Sequence, residues 1–178
     1  RTKCVDAKRV AGFWEITLEN DEGVQVVRSK AVANAAGPWV ASLFDEAMHE
    51  ESPKKIRLVK GSHIIVPRIH DLTHAYILQN EDGRIVFVIP HENDFSLIGT
   101  TDIEYQGDPS KVAIDEDEVD YLIAVTNQHF KLQIDNNDVV RTYSGVRPLL
   151  NDESDSAQAV SRDYTFEVTT QQGKLPLL

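Results

Sequence analysis

Short runs rich in apolar, β-branched and aromatic residues recur along the chain between turn residues, which is the pattern of β-strands. Polar and glycine-containing turn segments separate the first runs, and the later runs are longer. Asp82-Gly83, between two of the later runs, is a strong signal for a β-hairpin. The pattern therefore predicts strands at 4–7, 12–18, 24–28, 31–35, 56–68, 74–79, 84–91 and 95–101.

Apolar residues recur at helical spacing in two places. The first is 38–50, where Pro38 stands at a favourable first helical position. The second is 115–131, which has an acidic first turn that complements the helix dipole and an apolar stripe along one side. The stripe consists of Val119, Leu122, Ile123 and Phe130.

The order of these elements predicts an α+β fold, because strands follow strands and few helices intervene. A polar linker at 52–55 separates the short strands from the longer ones, so we expect a domain boundary near residue 50. Residues 1–50 are predicted to form a small β-meander with one helix. Residues 51–178 are predicted to form an antiparallel β-sheet domain with one long helix.

Composition excludes several kinds of partner. The chain of 178 residues has 29 acidic and 18 basic side chains, a formal net charge of −11. This balance argues against nucleic-acid binding and against docking on anionic lipid, both of which need an excess of Lys and Arg. Cys4 is the single cysteine, which suits a reducing cytosol, and the absence of CxxC and HExxH motifs predicts no metal site.

Two arginines flank a predicted acidic turn near the end of the chain. Strand-like residues precede Arg147 and follow Arg162, and both arginines are equidistant from a bend at 154–155. In an antiparallel pair the two positive charges would lie nearly opposite each other, which is destabilising. A negative group is therefore expected beside them. It is either a bound anion, which the planar guanidinium fork favours, or a nearby carboxylate from Asp152, Asp155 or Asp163.

Two further features are candidates for chemistry. His63 follows Gly61 and Ser62 at the mouth of an apolar strand, where an imidazole can exchange a proton near neutral pH or play a structural part. The predicted strand at 31–35 ends in small residues up to Gly37, which suits either the approach of a flat group or close helix–strand packing. The other five histidines have no ligand spacing and are interpreted as surface residues. The GTTD segment at 99–102 has hydrogen-bonding side chains, but its spacing gives it no role.

Several segments together resemble the FAD-dependent, aerobic glycerol-3-phosphate dehydrogenases of bacteria. The resemblance runs from about residue 24 to the end of the chain, with the segments in the same order and spacing. NAAGPW alone is typical of the wider amino-acid-oxidase-like flavoproteins, and the other segments narrow the resemblance. The segments are VANAAGPWV, IRLVKGSHIIVPR, YILQNEDGRIVFVIP, IGTTDIEYQGDP, YSGVRPLLNDESDS and SRDYT.

The resemblance implies oxidation of sn-glycerol 3-phosphate to dihydroxyacetone phosphate, with electrons passing through FAD to a quinone. It implies a cytoplasmic enzyme peripherally associated with the inner membrane, and it leaves homo-oligomer formation open. Residues 1–50 would be a remnant of the FAD-binding domain and 51–178 the substrate-binding domain. By the same resemblance Ala35, Ala36, Gly37 and Trp39 would lie along the flavin, His63 would be the candidate base, Arg147 would reach the reacting oxygen or the flavin edge, and Arg162 would hold the phosphate.

The resemblance also implies missing parts. The family's GxGxxG fingerprint and its Gly-Gly-Lys segment are not found in these 178 residues, so we expect the chain alone to be inactive and not to hold FAD tightly. Two alternatives stay open: a sibling flavin oxidase acting on amines or amino acids, and a non-enzymatic β-rich binding module. Exposed apolar surface discriminates between a module and a part of a larger fold, because only the latter is expected to expose it.

Overall fold

A computed structural model describes residues 1–151, 166–169 and 175–178. The chain begins with an antiparallel meander in the order β1-β2-β3. Gly12, in the first turn, and Gly23, at the start of β3 after the second turn, both have positive φ. The strands are β1 (Lys3–Val10), β2 (Phe13–Asn20) and β3 (Gly23–Ser29).

A helical segment follows the meander, as predicted. It consists of a 3-10 turn (Gly37–Trp39), the short helix α1 (Val40–Leu43) and a π-helical turn (Phe44–Met48). Leu43, Phe44 and Met48 pack against the meander core around Trp14, which is 1% exposed. The strand predicted at 31–35 is wrong: only Val32 forms a bridge, to Leu177, although the backbone of Val32 and Asn34 is hydrogen-bonded to 176–178.

A second, six-stranded sheet has the order β5-β6-β7-β4-β8, and β9 pairs with β4. The neighbouring strands β5, β6, β7 and β4 are antiparallel, as the hairpin signals predict. The strands are β4 (Ile56–Pro67), β5 (Tyr76–Gln79), β6 (Ile85–His91), β7 (Phe95–Gly99), β8 (Ile103–Glu104) and β9 (Arg141–Leu150).

Helix α2 (Glu116–His129) covers one face of this sheet. Asp115 caps its N-terminus and forms a reciprocal capping box with Glu118. Leu122 of the predicted stripe is completely buried, and Val119, Ile123 and Phe130 pack against the same core. Short 3-10 turns at Pro109–Lys111 and Asn136–Asp138 flank α2.

The two faces of the sheet differ in what they carry. Ile64, Val66, Val86, Val88 and Ile98 point toward α2 and form the core. On the other face His63, Gly99, Phe87 and Ile77 form one cross-strand row, because each is paired directly with the next. We call the side of the sheet that carries His63, Ile77, Ile85, Phe87 and Ile89 the His63 face.

The contacts divide the chain into two compact units, 1–56 with 161–178, and 57–160. The predicted functional domains, 1–50 and 51–178, stay a prediction. Leu177 belongs to the buried cluster of the first unit and bridges Val32. The α+β prediction is confirmed, since antiparallel sheets dominate both units. Among the described residues, no helix has the length and apolar character needed to cross a membrane.

Candidate active site

Arg147 lies on β9 with its guanidinium group directly over Gly61 of β4. A Cβ atom at residue 61 would stand 2.8 Å from Nη2 of Arg147 and 2.5 Å from Oγ1 of Thr100, closer than real Cβ atoms approach. Nη2 of Arg147 donates a long hydrogen bond of 3.4 Å to Oγ1 of Thr100. The glycine of the KGSH segment is therefore the residue that makes room for the arginine.

Asp102 supplies the negative charge beside Arg147. Nη1 of Arg147 donates a short hydrogen bond to Oδ1 of Asp102, and the two side chains are 37% and 14% exposed. The backbone of Asp102 has φ of 48°, a left-handed conformation that aspartate tolerates and that is frequent at functional sites. Asp102 is thus a carboxylate partner of Arg147 that the sequence did not indicate.

Those three aspartates and Arg162 lie in 152–165, outside the described residues. The predicted antiparallel pairing of Arg147 with Arg162 stays a prediction for the same reason. Phe166 and Val168, expected in the second strand of that hairpin, are exposed and are not in a strand.

His63 is placed by its neighbours on both sides of the ring. The imidazole stacks on Tyr143 of β9, with ring centroids 4.8 Å apart and planes 6° from parallel. On its cross-strand side it lies over Gly99, where a Cβ atom would stand 2.6 Å from Cγ of His63. Nδ1 is buried without a hydrogen-bond partner among the described residues. The ring is therefore fixed in orientation, and one nitrogen has no partner in the described structure.

The charge state of His63 follows from this environment. Burial and then the positive charge of Arg147 lower the pKa of His63, while Asp102 opposes them in part. The imidazole is therefore neutral at physiological pH and able to accept a proton. A neutral base beside a guanidinium group that carries its own carboxylate is an arrangement suited to removing a proton and stabilising the resulting oxyanion.

The predicted flavin-contacting residues lie in the first unit. Asn34 braces this segment, since its Nδ2 donates to the carbonyl of Val40 and its Oδ1 accepts from the backbone of Ala36. Gly37 has φ of 57°, and no described atom lies within 4 Å of a Cβ built there. Ala35 is exposed and Trp39 is 47% exposed. A surface of small side chains with an exposed ring fits the flat ring system of a flavin.

Sequence reasoning missed three residues of the site. Tyr143 was read only as a strand residue and Asp102 as part of a segment without a role, since a stacked ring and a left-handed backbone leave no local signal. Glu118 belongs to the acidic first turn of the predicted helix, where exposure is the usual expectation, but it is 1% exposed. His70, interpreted as a surface residue, is half-buried among the rings of His74, Tyr76 and Phe130, and both of its ring nitrogens are buried.

Comparison with known proteins agrees with the resemblance. The family model described as FAD dependent oxidoreductase matches residues 1–169. The chain is 54% identical over its whole length to the aerobic glycerol-3-phosphate dehydrogenase of Escherichia coli K12, covering 36% of that protein. It is 44% identical over its whole length to the D-erythritol 1-phosphate dehydrogenase of Brucella abortus, again covering 36%.

A solved structure shares the fold. The glycerol-3-phosphate dehydrogenase of Bacillus halodurans, crystallised with FAD, aligns with a TM-score of 0.76 and 28% identity over 88% of this chain and 33% of that one. The chain thus spans about a third of the length of the relatives it matches. Because the family model matches nearly all of the sequence, the chain belongs to the FAD dependent oxidoreductase family.

Proposed function

We propose that this chain is the substrate-binding part of an FAD-linked dehydrogenase that oxidises sn-glycerol 3-phosphate to dihydroxyacetone phosphate. The observation that carries the proposal is the grouping of a neutral His63 with Arg147 and Asp102 on one side of the sheet. Identity of 52–54% over the whole chain to bacterial glycerol-3-phosphate dehydrogenases supports the choice of substrate.

Each residue has a proposed task. The His63 imidazole takes the proton of the substrate's secondary hydroxyl group, because it is neutral and held in one orientation by Tyr143. The Arg147 guanidinium group binds the oxygen on which negative charge develops, and Asp102 fixes the orientation of that group. FAD, when bound, supplies the hydride acceptor. Arg162 is proposed to bind the phosphate, which has to be held by local positive charge against the net charge of −11.

The cofactor contacts and partners belong to the same proposal. Ala35, Ala36, Gly37 and Trp39 would lie along the flavin, which fits the absence of bulky side chains at 35–37 and the exposed ring of Trp39. Passage of electrons to a quinone and peripheral association with the inner membrane follow from the family resemblance.

Exposed apolar surface favours the hypothesis that the chain is part of a larger fold over the hypothesis that it is a separate binding module. Ile77, Ile85, Phe87 and Ile89 on the His63 face are between 37% and 62% exposed. Such a contiguous apolar surface beside the candidate base is expected where further protein or cofactor covers it. The non-enzymatic module is therefore the weaker alternative.

The test is anaerobic bleaching of the flavin in the complete FAD-loaded enzyme that contains these residues. Glycerol 3-phosphate is expected to bleach the wild type, and unphosphorylated glycerol is expected to fail. Arg162→Ala should lose the preference for the phosphorylated compound, and Arg147→Ala should slow reduction by roughly 100-fold or more, the usual cost of a lost oxyanion contact. Arg141→Ala, at the exposed start of β9, is the matched control and should behave as wild type.

Two outcomes would contradict the proposal. If Arg147→Ala and Arg162→Ala are bleached as fast as Arg141→Ala, the arginines are structural. If D-erythritol 1-phosphate bleaches the wild type faster than glycerol 3-phosphate, the substrate is the larger polyol phosphate, which the similarity to the Brucella abortus protein makes the second candidate.

A further inference from the structure

A buried polar network lies between the sheet and helix α2, on the side opposite to the His63 face. Its centre is the carboxylate of Glu118, which is 1% exposed. Oε1 accepts hydrogen bonds from Ser62 Oγ at 2.9 Å and from Thr101 Oγ1 at 2.6 Å. Oε2 accepts from the backbone N–H of Asp115 at 3.0 Å and lies 2.7 Å from Nζ of Lys60. Each oxygen of this carboxylate therefore has two partners.

The charge of Glu118 is balanced inside the network. Lys60 is 7% exposed and also contacts Asp115 at 3.0 Å. Burial opposes a charge on Lys60, but the two carboxylates outweigh burial and raise the pKa of the ammonium group. A buried ion pair adds little net free energy of folding even when all its hydrogen bonds are made, because burying the charges is costly. One attested role of such a pair is to select a single arrangement of the chain.

The network joins the segments that carry the candidate site. Ser62 directly precedes His63 and follows Gly61, over which Arg147 lies. Thr101 stands between Thr100 and Asp102, the two residues that bind Arg147. Thr101 Oγ1 also accepts from the backbone N–H of Ser62 at 3.1 Å, and Ser62 Oγ lies 2.8 Å from Ser144 Oγ on β9. The Glu118 carboxylate thus binds β4 through Ser62 and the turn after β7 through Thr101, and Ser62 in turn contacts β9 through Ser144. The neighbours of these residues in sequence carry the candidate site on the His63 face.

We infer that Glu118 is a positioning residue for the oxidation, acting through Ser62 and Thr101 on His63 and on the Asp102–Arg147 pair. The inference rests on the proposed function for its kinetic consequence. It requires that loosening either hydroxyl contact lets the base and the guanidinium group drift relative to each other. A displacement on the order of 1 Å at a reacting group is enough to lower a rate severalfold to 100-fold.

Thr101→Val and Ser62→Ala in the complete FAD-loaded enzyme test the inference. Each removes one hydroxyl from Glu118, with little change of volume in the first case and a small loss in the second. Thr126→Val is the matched control, because Thr126 is equally buried and its hydroxyl donates within α2, to the carbonyl of Leu122. Thr101→Ser, which keeps the hydroxyl, is the rescue variant.

The expected result is a slower reduction of the flavin that a loss of protein stability does not explain. At equal melting temperatures, Thr101→Val and Ser62→Ala should reduce the limiting rate of flavin bleaching by glycerol 3-phosphate about tenfold, within the cost of small misplacements. The half-saturating substrate concentration should change much less. Thr126→Val should match wild type, and Thr101→Ser should recover most of the rate. Equal rates in Thr101→Val and Thr126→Val would overturn the inference.

A second readout needs no substrate. Ring resonances of His63, assigned by their loss in a His63→Gln variant, should shift and titrate at a different pH in Thr101→Val but not in Thr126→Val. If glycerol 3-phosphate does not bleach the wild type, the proposed function is wrong, while this titration still decides the positioning role. Identical His63 titrations in both valine variants would contradict that role.

Discussion

At the scale of single residues, two glycines decide where the candidate catalytic side chains can lie. Gly61 leaves room for the Arg147 guanidinium and Gly99 for the His63 ring. Gly99→Ala should destabilise the protein by roughly 1–3 kcal/mol, the usual cost of overpacking, and displace the imidazole. Thermal unfolding and flavin reduction of the complete enzyme measure both effects.

Gly145→Ala is the control for this prediction. Gly145 lies on β9, two residues from Arg147, and no described atom is within 4 Å of a Cβ built there. Its substitution should leave both the melting temperature and the rate near the wild-type values. If Gly99→Ala and Gly145→Ala behave alike, contact with the glycine does not hold the ring.

At the scale of elements, Asp115 at the N-terminus of α2 both caps the helix and contacts the polar network beneath the candidate site. Oδ1 of Asp115 accepts from the backbone N–H of Glu118 at 3.0 Å, and its other oxygen binds Lys60. Asp115→Ala should lower the free energy of unfolding by about 1 kcal/mol, the usual value of an N-cap. Glu116→Ala, an exposed first-turn neighbour, should cost less, since it loses only its interaction with the helix dipole. Chemical denaturation of both variants measures the difference, and equal losses would contradict the capping role.

Most helices and strands could be predicted from the sequence, whereas only some residues of the candidate site could. Apolar, β-branched runs between turn residues locate β4 and β6, and an apolar stripe at helical spacing locates α2. The strand expected at 31–35 shrinks to a bridge between Val32 and Leu177, and a partner that far along the chain leaves no local pattern. Asp102 and Glu118 could not be assigned, because their partners are 45 and 56 residues away and a side-chain contact at that distance leaves no local pattern.

At the scale of the whole molecule, two partly buried histidines make the fold sensitive to acid. Burial first, and neighbouring positive groups second, lower the pKa of both His63 and His70. As pH falls below about 6.5, the unfolded chain takes up protons before the folded chain does, so the free energy of unfolding falls. This loss should end once the pH lies below the folded-state pKa values.

His70→Phe tests this acid sensitivity. The substitution keeps a ring in the cluster with Tyr76 and Phe130 but removes the titrating group. Its melting temperature should fall less between pH 7 and pH 5 than that of wild type. His129→Phe, at the exposed end of α2, is the control and should retain the full acid sensitivity. An unchanged pH dependence in His70→Phe would show that His70 does not contribute.

The pairing of Arg147 with Asp102 has a consequence for how long any anion stays bound. Because the Arg147 guanidinium group already has a counterion, its orientation is fixed before substrate binds. An incoming oxyanion, however, has to compete with Asp102 for its positive charge. Resting affinity is thereby kept modest, and the interaction strengthens as charge builds on the reacting oxygen. The neutral carbonyl oxygen of a ketone would interact more weakly with the same guanidinium group than an oxyanion does. At Arg147 the geometry therefore favours release of the reacting oxygen over its tight retention.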